Sequence, residues 1–217
     1  MPRPYTTTRR RRRSRRQPWY NRRYSPMELA TKAWRATKYI KGLVNSEMYH
    51  LQTSGTSSVN NTGTIIHLSA LAQGDGPDAR TGNSILLRNI FLRLGITQHA
   101  SATSTYYRII LFHDKQQVSD TPPTVSQLLE SSSTLSPLEQ DSFGRFKIIQ
   151  NWFFTTDNTK ATTRVIEKYY KVYKHLRYNG TAATDIQKNG LYLMLLSDQP
   201  TNTPTIVTGK QIGRAHV

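Results

Sequence analysis

The chemistry in this chain is concentrated at its beginning. Arg9, Arg10, Arg11, Arg12 and Arg13 form an unbroken guanidinium block, and Arg15, Arg16, Arg22 and Arg23 follow closely. A guanidinium pairs with phosphate oxygens through two parallel N–H donors, so a cluster of them is a site for a polyanion. Trp19, Tyr20 and Tyr24 lie among these arginines, and planar rings beside guanidinium groups stack on unpaired bases. The chemistry this mixture supports is binding of single-stranded nucleic acid. A contact to phosphate does not identify the sugar, so DNA and RNA satisfy it equally. The same block also fits the pattern read by a nuclear import receptor, and the two uses are compatible.

Elsewhere the sequence is poor in reactive groups. With no cysteine, there is no disulfide framework, no thiolate metal site and no thiol nucleophile. Gly209-Lys210 is followed by Gln211, which excludes a phosphate-cradling Gly-Lys-Ser/Thr loop. The six histidines lack metal-ligand spacing. His113-Asp114 is the nearest approach to a base and its orienter, at a strand end where a base would be exposed, but a polar strand-to-turn exit is much the stronger reading. Carboxylates are scattered, so no paired acid and base is visible and no enzymatic activity is expected. The segment Gln73 to Gly82 carries Asp75 and Asp78 among glycines. It reads as a plain turn or as a source of carboxylate and carbonyl oxygens for calcium, without the closing glutamate of an EF-hand.

These groups need a framework. The chain of 217 residues carries a net charge of +17, and residues 1–42 hold 14 cations against the single acid Glu28, a net +13. Loading one end in this way predicts a polyanion-binding appendage on an ordinary globular body. Residues 1–24, with ten arginines, no acid, and prolines at Pro2, Pro4 and Pro18, are expected to stay disordered until a polyanion neutralises them. No apolar run is long enough for a membrane span, and no apolar stretch follows the arginines as a secretory signal requires.

Ser25, Pro26 and Glu28 are a helix start: a Ser-x-x-Glu capping box with proline at the first helical position. Over 25–45 the apolar residues Met27, Ala30, Ala33, Trp34, Ile40 and Val44 recur at helical spacing, with Lys32, Arg35 and Lys38 on the opposite face. Such a helix can lie on a membrane surface, serve as a calmodulin-type target, or dock on protein while offering its cations to nucleic acid. Continuity with the arginine arm favours the last.

After Asn45 the pattern becomes short β-rich segments between Gly-, Pro- and Asn-rich turns. Strands are expected at 48–54, 64–68, 84–98, 105–113, 143–156, 162–178 and 190–197, with a short helix at 124–130. Without an alternating βαβ pattern, this is an all-β body, an antiparallel sandwich of the jelly-roll or immunoglobulin kind. Trp152, Phe153 and Phe154 read as buried.

Several stretches carry a resemblance: Gln52 to Gly55 leading into Thr62 to Thr64, Ala72 to Asp75, Arg80 to Gly82, Ile85 to Arg88 into Leu94, Tyr107 to Asp114, and Pro122 to Leu129. In this order they resemble the satellite tobacco necrosis virus coat protein family and the similar coats of small circular single-stranded DNA viruses, from about Ser25 to Ser197. The resemblance implies an eight-stranded single jelly roll over 46–210 that self-assembles into a T=1 icosahedral virion shell of sixty copies. It implies that the arm (1–24) and the helix (25–45) bind a packaged single-stranded genome, with the host nucleus or cytoplasm as the place of the chain before assembly and a host nuclear import receptor as a further partner. It also implies that Asp75 lies near a threefold axis and Glu47 near an intersubunit cation site, which makes both candidate calcium ligands.

Two further readings follow. Residues 211–217 (Gln-Ile-Gly-Arg-Ala-His-Val) match the translation of a common sequencing adaptor, so the closing strand that begins at Thr205 is expected to be truncated, leaving an open sheet edge. The alternative to a coat protein is a cellular β-rich nucleic-acid-binding protein with a basic tail, which would display aromatic residues on an exposed strand face.

Overall fold

The computed structural model describes residues 25–43, 48–76, 78–118 and 121–216. It divides into two compact units, residues 1–45 and 46–217. In the first, helix α1 spans Pro26–Leu43. The capping box is formed: Glu28 N–H donates to Ser25 Oγ at 3.3 Å, and Ser25 N–H donates to the Glu28 carboxylate at 3.0 Å. Two backbone donors left open by the first turn are thereby satisfied.

Among the described residues the second unit contains nine strands: β1 (Met48–Ser58), β2 (Thr64–His67), β3 (Ser84–Thr97), β4 (Ser104–Asp114), β5 (Phe146–Asp157), β6 (Thr163–Tyr178), β7 (Ile186–Lys188), β8 (Gly190–Ser197) and β9 (Thr205–His216), with the short helix α2 at Val125–Leu128. They form a five-stranded sheet in the order β1-β9-β3-β6-β7 and a four-stranded sheet in the order β2-β8-β4-β5. Every ladder is antiparallel. Because the chain passes from one sheet to the other between β1 and β2, β2 and β3, and β3 and β4, neighbours in sequence face one another across the sandwich. This is the double Greek-key wiring of a jelly roll.

Period-two alternation builds the core. In β3, Ile85, Leu87, Ile90, Leu92, Leu94 and Ile96 are buried, with one bulge between Leu87 and Asn89 shifting the phase. β8 lies between β2 and β4 and is buried at every position, as its unbroken apolar run Leu191 to Leu196 implies for a strand covered on both faces. Leu128 of α2 and Leu129 join the same cluster.

β9 runs through His216 as an interior strand, with Ile212 opposite Leu51 on one side and Ile90 on the other, and Ile212 is fully buried. Residues 211–216 thus pair within the sheet and leave no open edge between β1 and β3. Two expectations are corrected. Strand β7 adds a ninth strand to the expected eight; three residues are too few to show a period. Phe153 is not buried: it is 53 % exposed while Phe154 is 8 % exposed, because successive side chains in a strand point to opposite faces.

Candidate nucleic-acid interface

Lys32, Arg35 and Lys38 recur every third residue on α1. At 100° per residue they fall within one 120° arc, with about 4.5 Å of rise between neighbours. All three side chains are exposed. The Lys38 ammonium lies 4.5 Å from the centre of the Trp34 ring, a contact that leaves its outer hydrogens for a phosphate. The apolar stripe opposite is also exposed, with Met27 at 79 %, Trp34 at 61 % and Ile40 at 59 %. Arg9, Arg10, Arg11, Arg12, Arg13, Arg15, Arg16, Arg22 and Arg23 lie outside the described residues, as does Glu47.

A second group of cations escaped the sequence reading because it is spread along a strand. β6 presents Arg164, Lys168, Lys171 and Arg177, all exposed, together with Tyr169 and Tyr173. Arg93 of β3 ion-pairs with Glu167 at 3.1 Å and lies 5.5 Å from the Phe91 ring. The density of Lys, Arg and Tyr along 164–177 was the available signal.

The loop 73–82 is shaped by Arg80, which the sequence reading passed over. Its side chain is fully buried. Nε donates to Leu71 O at 3.0 Å, and Nη1 donates to Gly82 O at 2.6 Å and Asn83 Oδ1 at 3.1 Å. Nη2 donates to Gly180 O, and the guanidinium stacks 4.1 Å over the Tyr178 ring. One buried fork therefore joins the loop to the β6–β7 turn. Burial lowers the Arg80 pKa, and Tyr178 and Asp185 oppose that shift. Asp75 and Asp78, by contrast, are exposed at the loop surface. Among the described residues no three His, Asp or Glu side chains converge on a metal position.

His113 and Asp114 do not form an exposed base. His113 is 4 % and Asp114 1 % exposed; the His113 ring contacts Asn189 O at 3.1 Å, and Asp114 accepts two donors from Arg145. Desolvation is the main cause holding the His113 pKa below its usual value. The strand exit is a packed ion pair, the plainer of the two readings.

With this geometry in place, similarity to known proteins is decisive. The family model of the satellite tobacco necrosis virus coat protein matches residues 28–212, which takes in most of α1 and the body up to Ile212. The chain belongs to that coat protein family. Its similarity to the coat protein of Maize white line mosaic satellite virus is 29 % identity over 185 residues, covering 80 % of this chain and 84 % of the relative. Among solved structures it is similar to Desmodium yellow mottle tymovirus, at 10 % identity and a TM-score of 0.40, covering 79 % of this chain and 88 % of that one. It is also similar to the decameric BFDV capsid protein, at 11 % identity and a TM-score of 0.37, covering 79 % of this chain and all of that one. A viral coat protein of the satellite virus family has a structural role, and its place is the virion. The cellular nucleic-acid-binding alternative is thereby set aside.

Proposed function

We propose that the chain self-assembles into a closed T=1 shell of sixty copies and packages a single-stranded genome, DNA or RNA, through its arginine arm and the basic face of α1. The observation that carries this reading is the separation of charge. Residues 1–42 hold a net +13, whereas the jelly roll is only mildly basic and holds the core that shell formation needs. Sixty arms would bring about 780 positive charges inside, on the order of what neutralises most phosphates of a one-kilobase genome by counterion release. Within the shell the coat acts structurally and not as an enzyme. Calcium held by Asp75 and Glu47 at subunit contacts would relieve carboxylate repulsion there. Before assembly, the arginine block would also be read by a host nuclear import receptor.

The test is deletion of residues 1–24. The shortened coat is expected to form shells of unchanged size that lack nuclease-protected nucleic acid. Shells that still protect a full cargo would overturn the packaging role of the arm. For calcium, chelation should loosen wild-type particles and leave Asp75→Asn/Glu47→Gln particles unaffected; equal sensitivity of both would remove these ligands.

A further inference from the structure

Gly209 stands in the interior of β9, paired with Ser54 of β1 on one side and Arg93 of β3 on the other. A glycine there weakens the sheet, and no steric demand explains it. Its φ lies outside the left-handed region, and a Cβ at this position would meet nothing closer than Arg93 O at 3.8 Å. Gly213 differs, since a Cβ there would lie 2.5 Å from Asn89 Oδ1.

What the missing side chain leaves is space. Leu92 and Leu94 are buried, so Phe91 and Arg93 lie on the outer face of the sheet. A groove of about 300 Å³ opens on that face, with Phe91 and Arg93 on one side, Gln52 and Ser54 on the other and Gly209 between them. Lys210 is turned to the opposite face, where its ammonium donates to Leu68 O at 2.7 Å.

Beyond Phe91 the same face is aromatic and cationic. Across the β3–β6 ladder Phe91 pairs with Tyr169, Asn89 with Lys171 and Arg93 with Glu167, and Tyr169 and Lys171 are exposed. Arg93 and Lys171 therefore stand on either side of the Phe91–Tyr169 pair. Further along β6, Tyr173 holds a φ of 46°, a strained value for a residue with a side chain. Its ring is 59 % exposed, so core packing does not offset that strain. Glu167 is the acid in this row; its ion pair with Arg93 is exposed on both sides, hence weak and exchangeable for phosphate. On the other sheet, β4 and β8 are buried almost throughout, Arg108 included.

We propose that the groove over Gly209 is a subsite for one nucleotide of single-stranded nucleic acid, its base stacked on Phe91 and its flanking phosphates on Arg93 and Lys171, with Tyr169 and Tyr173 as further stacking platforms. Rings interleaved with cations suit an unpaired strand better than an isolated anion, and the Gln52 amide offers both a donor and an acceptor to a base edge. The proposal rests on the packaging role given above: the arm retains the cargo, and the groove orders it against the five-stranded sheet.

The test is ultraviolet crosslinking of the full chain to a short oligothymidylate, with crosslinked peptides located by mass spectrometry; particles recovered from expression are irradiated in the same way. Crosslinks are expected at Phe91 and Tyr169 as well as in the arm. Gly209→Val fills the groove with a residue that strands favour. It should lower the yield at Phe91 about tenfold, the factor corresponding to about 1.4 kcal/mol and within the range of one stacked base, while Tm does not fall and arm crosslinks persist. Arg93→Gln, at an exposed position, should lower the same yield and decides the matter if Gly209→Val does not fold. Crosslinks confined to the arm, or yields at Phe91 unchanged in both variants, would overturn the subsite. Loss of particles in Gly209→Val with oligonucleotide crosslinks unchanged would also overturn it and assign the face to a contact between copies. Particles that hold cargo without crosslinks at Phe91 or Tyr169 would remove the groove and leave packaging intact. Empty particles from a chain that still crosslinks the oligonucleotide at Phe91 would support the groove and remove packaging.

Discussion

Arg145 grips Asp114 at two points, with Nε 2.9 Å from one carboxylate oxygen and Nη2 2.6 Å from the other, and the carboxylate is wholly buried. The pair ties the end of β4 to the turn that opens β5, and the same aspartate accepts Gln116 N–H at 3.2 Å. Removing one partner leaves a buried charge alone, a loss of about 3 to 5 kcal/mol. Arg145→Met should therefore destabilise strongly in urea denaturation, and Asp114→Asn/Arg145→Met should recover part of the loss. Equal midpoints for Arg145→Met and the wild type would show that the pair contributes nothing.

Arg80 serves four oxygens from one planar group, and lysine cannot reproduce that fork. Arg80→Lys should cost about 2 to 3 kcal/mol and raise hydrogen exchange in both the 73–82 loop and the 179–185 turn. Faster exchange in only one of the two would contradict its role as the link between them.

The half-buried His67 and Lys210 set opposite ends of the pH profile. His67, neutral in the fold down to about pH 3, takes its proton near 6.5 when unfolded. The unfolded chain therefore binds the extra proton between pH 6.5 and 3, and stability falls as pH falls through that window, by up to about 1.4 kcal/mol per pH unit. His113, shifted in the same direction, adds to the loss. Lys210 titrates at about 8 in the fold and 10.5 unfolded, so stability rises with pH between those values. His67→Phe, which keeps a ring on Tyr192, should flatten the acid limb, and Lys210→Met the alkaline one, in denaturation midpoints measured from pH 4 to 10.

Ending the chain after Lys210 removes Ile212 from between β1 and β3. The lost side chain and ladder bonds should cost more than about 3 kcal/mol, and circular dichroism should report reduced β content at 37 °C. A truncated chain as stable as the full one would show that the strand contributes little beyond Lys210.

Much of this was legible because local chemistry and fold agree. Ser25 and Glu28 announced the helix start, and the long alternating strands and the Leu191 to Leu196 run announced the sandwich. What stayed hidden depends on pairing across the chain. Arg80 reads as a surface cation until Gly180, a hundred positions later, supplies an acceptor. Lys210 reads as polar sheet decoration until β2 places Leu68 O beside it. Phe153 was misjudged because three consecutive aromatics were read as a block, although strand geometry divides them between two faces. The pairing of β9 through His216 rests on β1 and β3, far away in sequence, and not on any local signal after Thr208.

The role proposed for this coat is closure into a shell around single-stranded nucleic acid. The most direct measurement is electron microscopy of the full chain after expression and nuclease treatment, with particle mass and protected nucleic acid quantified on the same sample. Uniform icosahedral particles of sixty subunits, holding nuclease-protected single strands, are the predicted result. A soluble monomer, or empty shells with an intact arm, would contradict it.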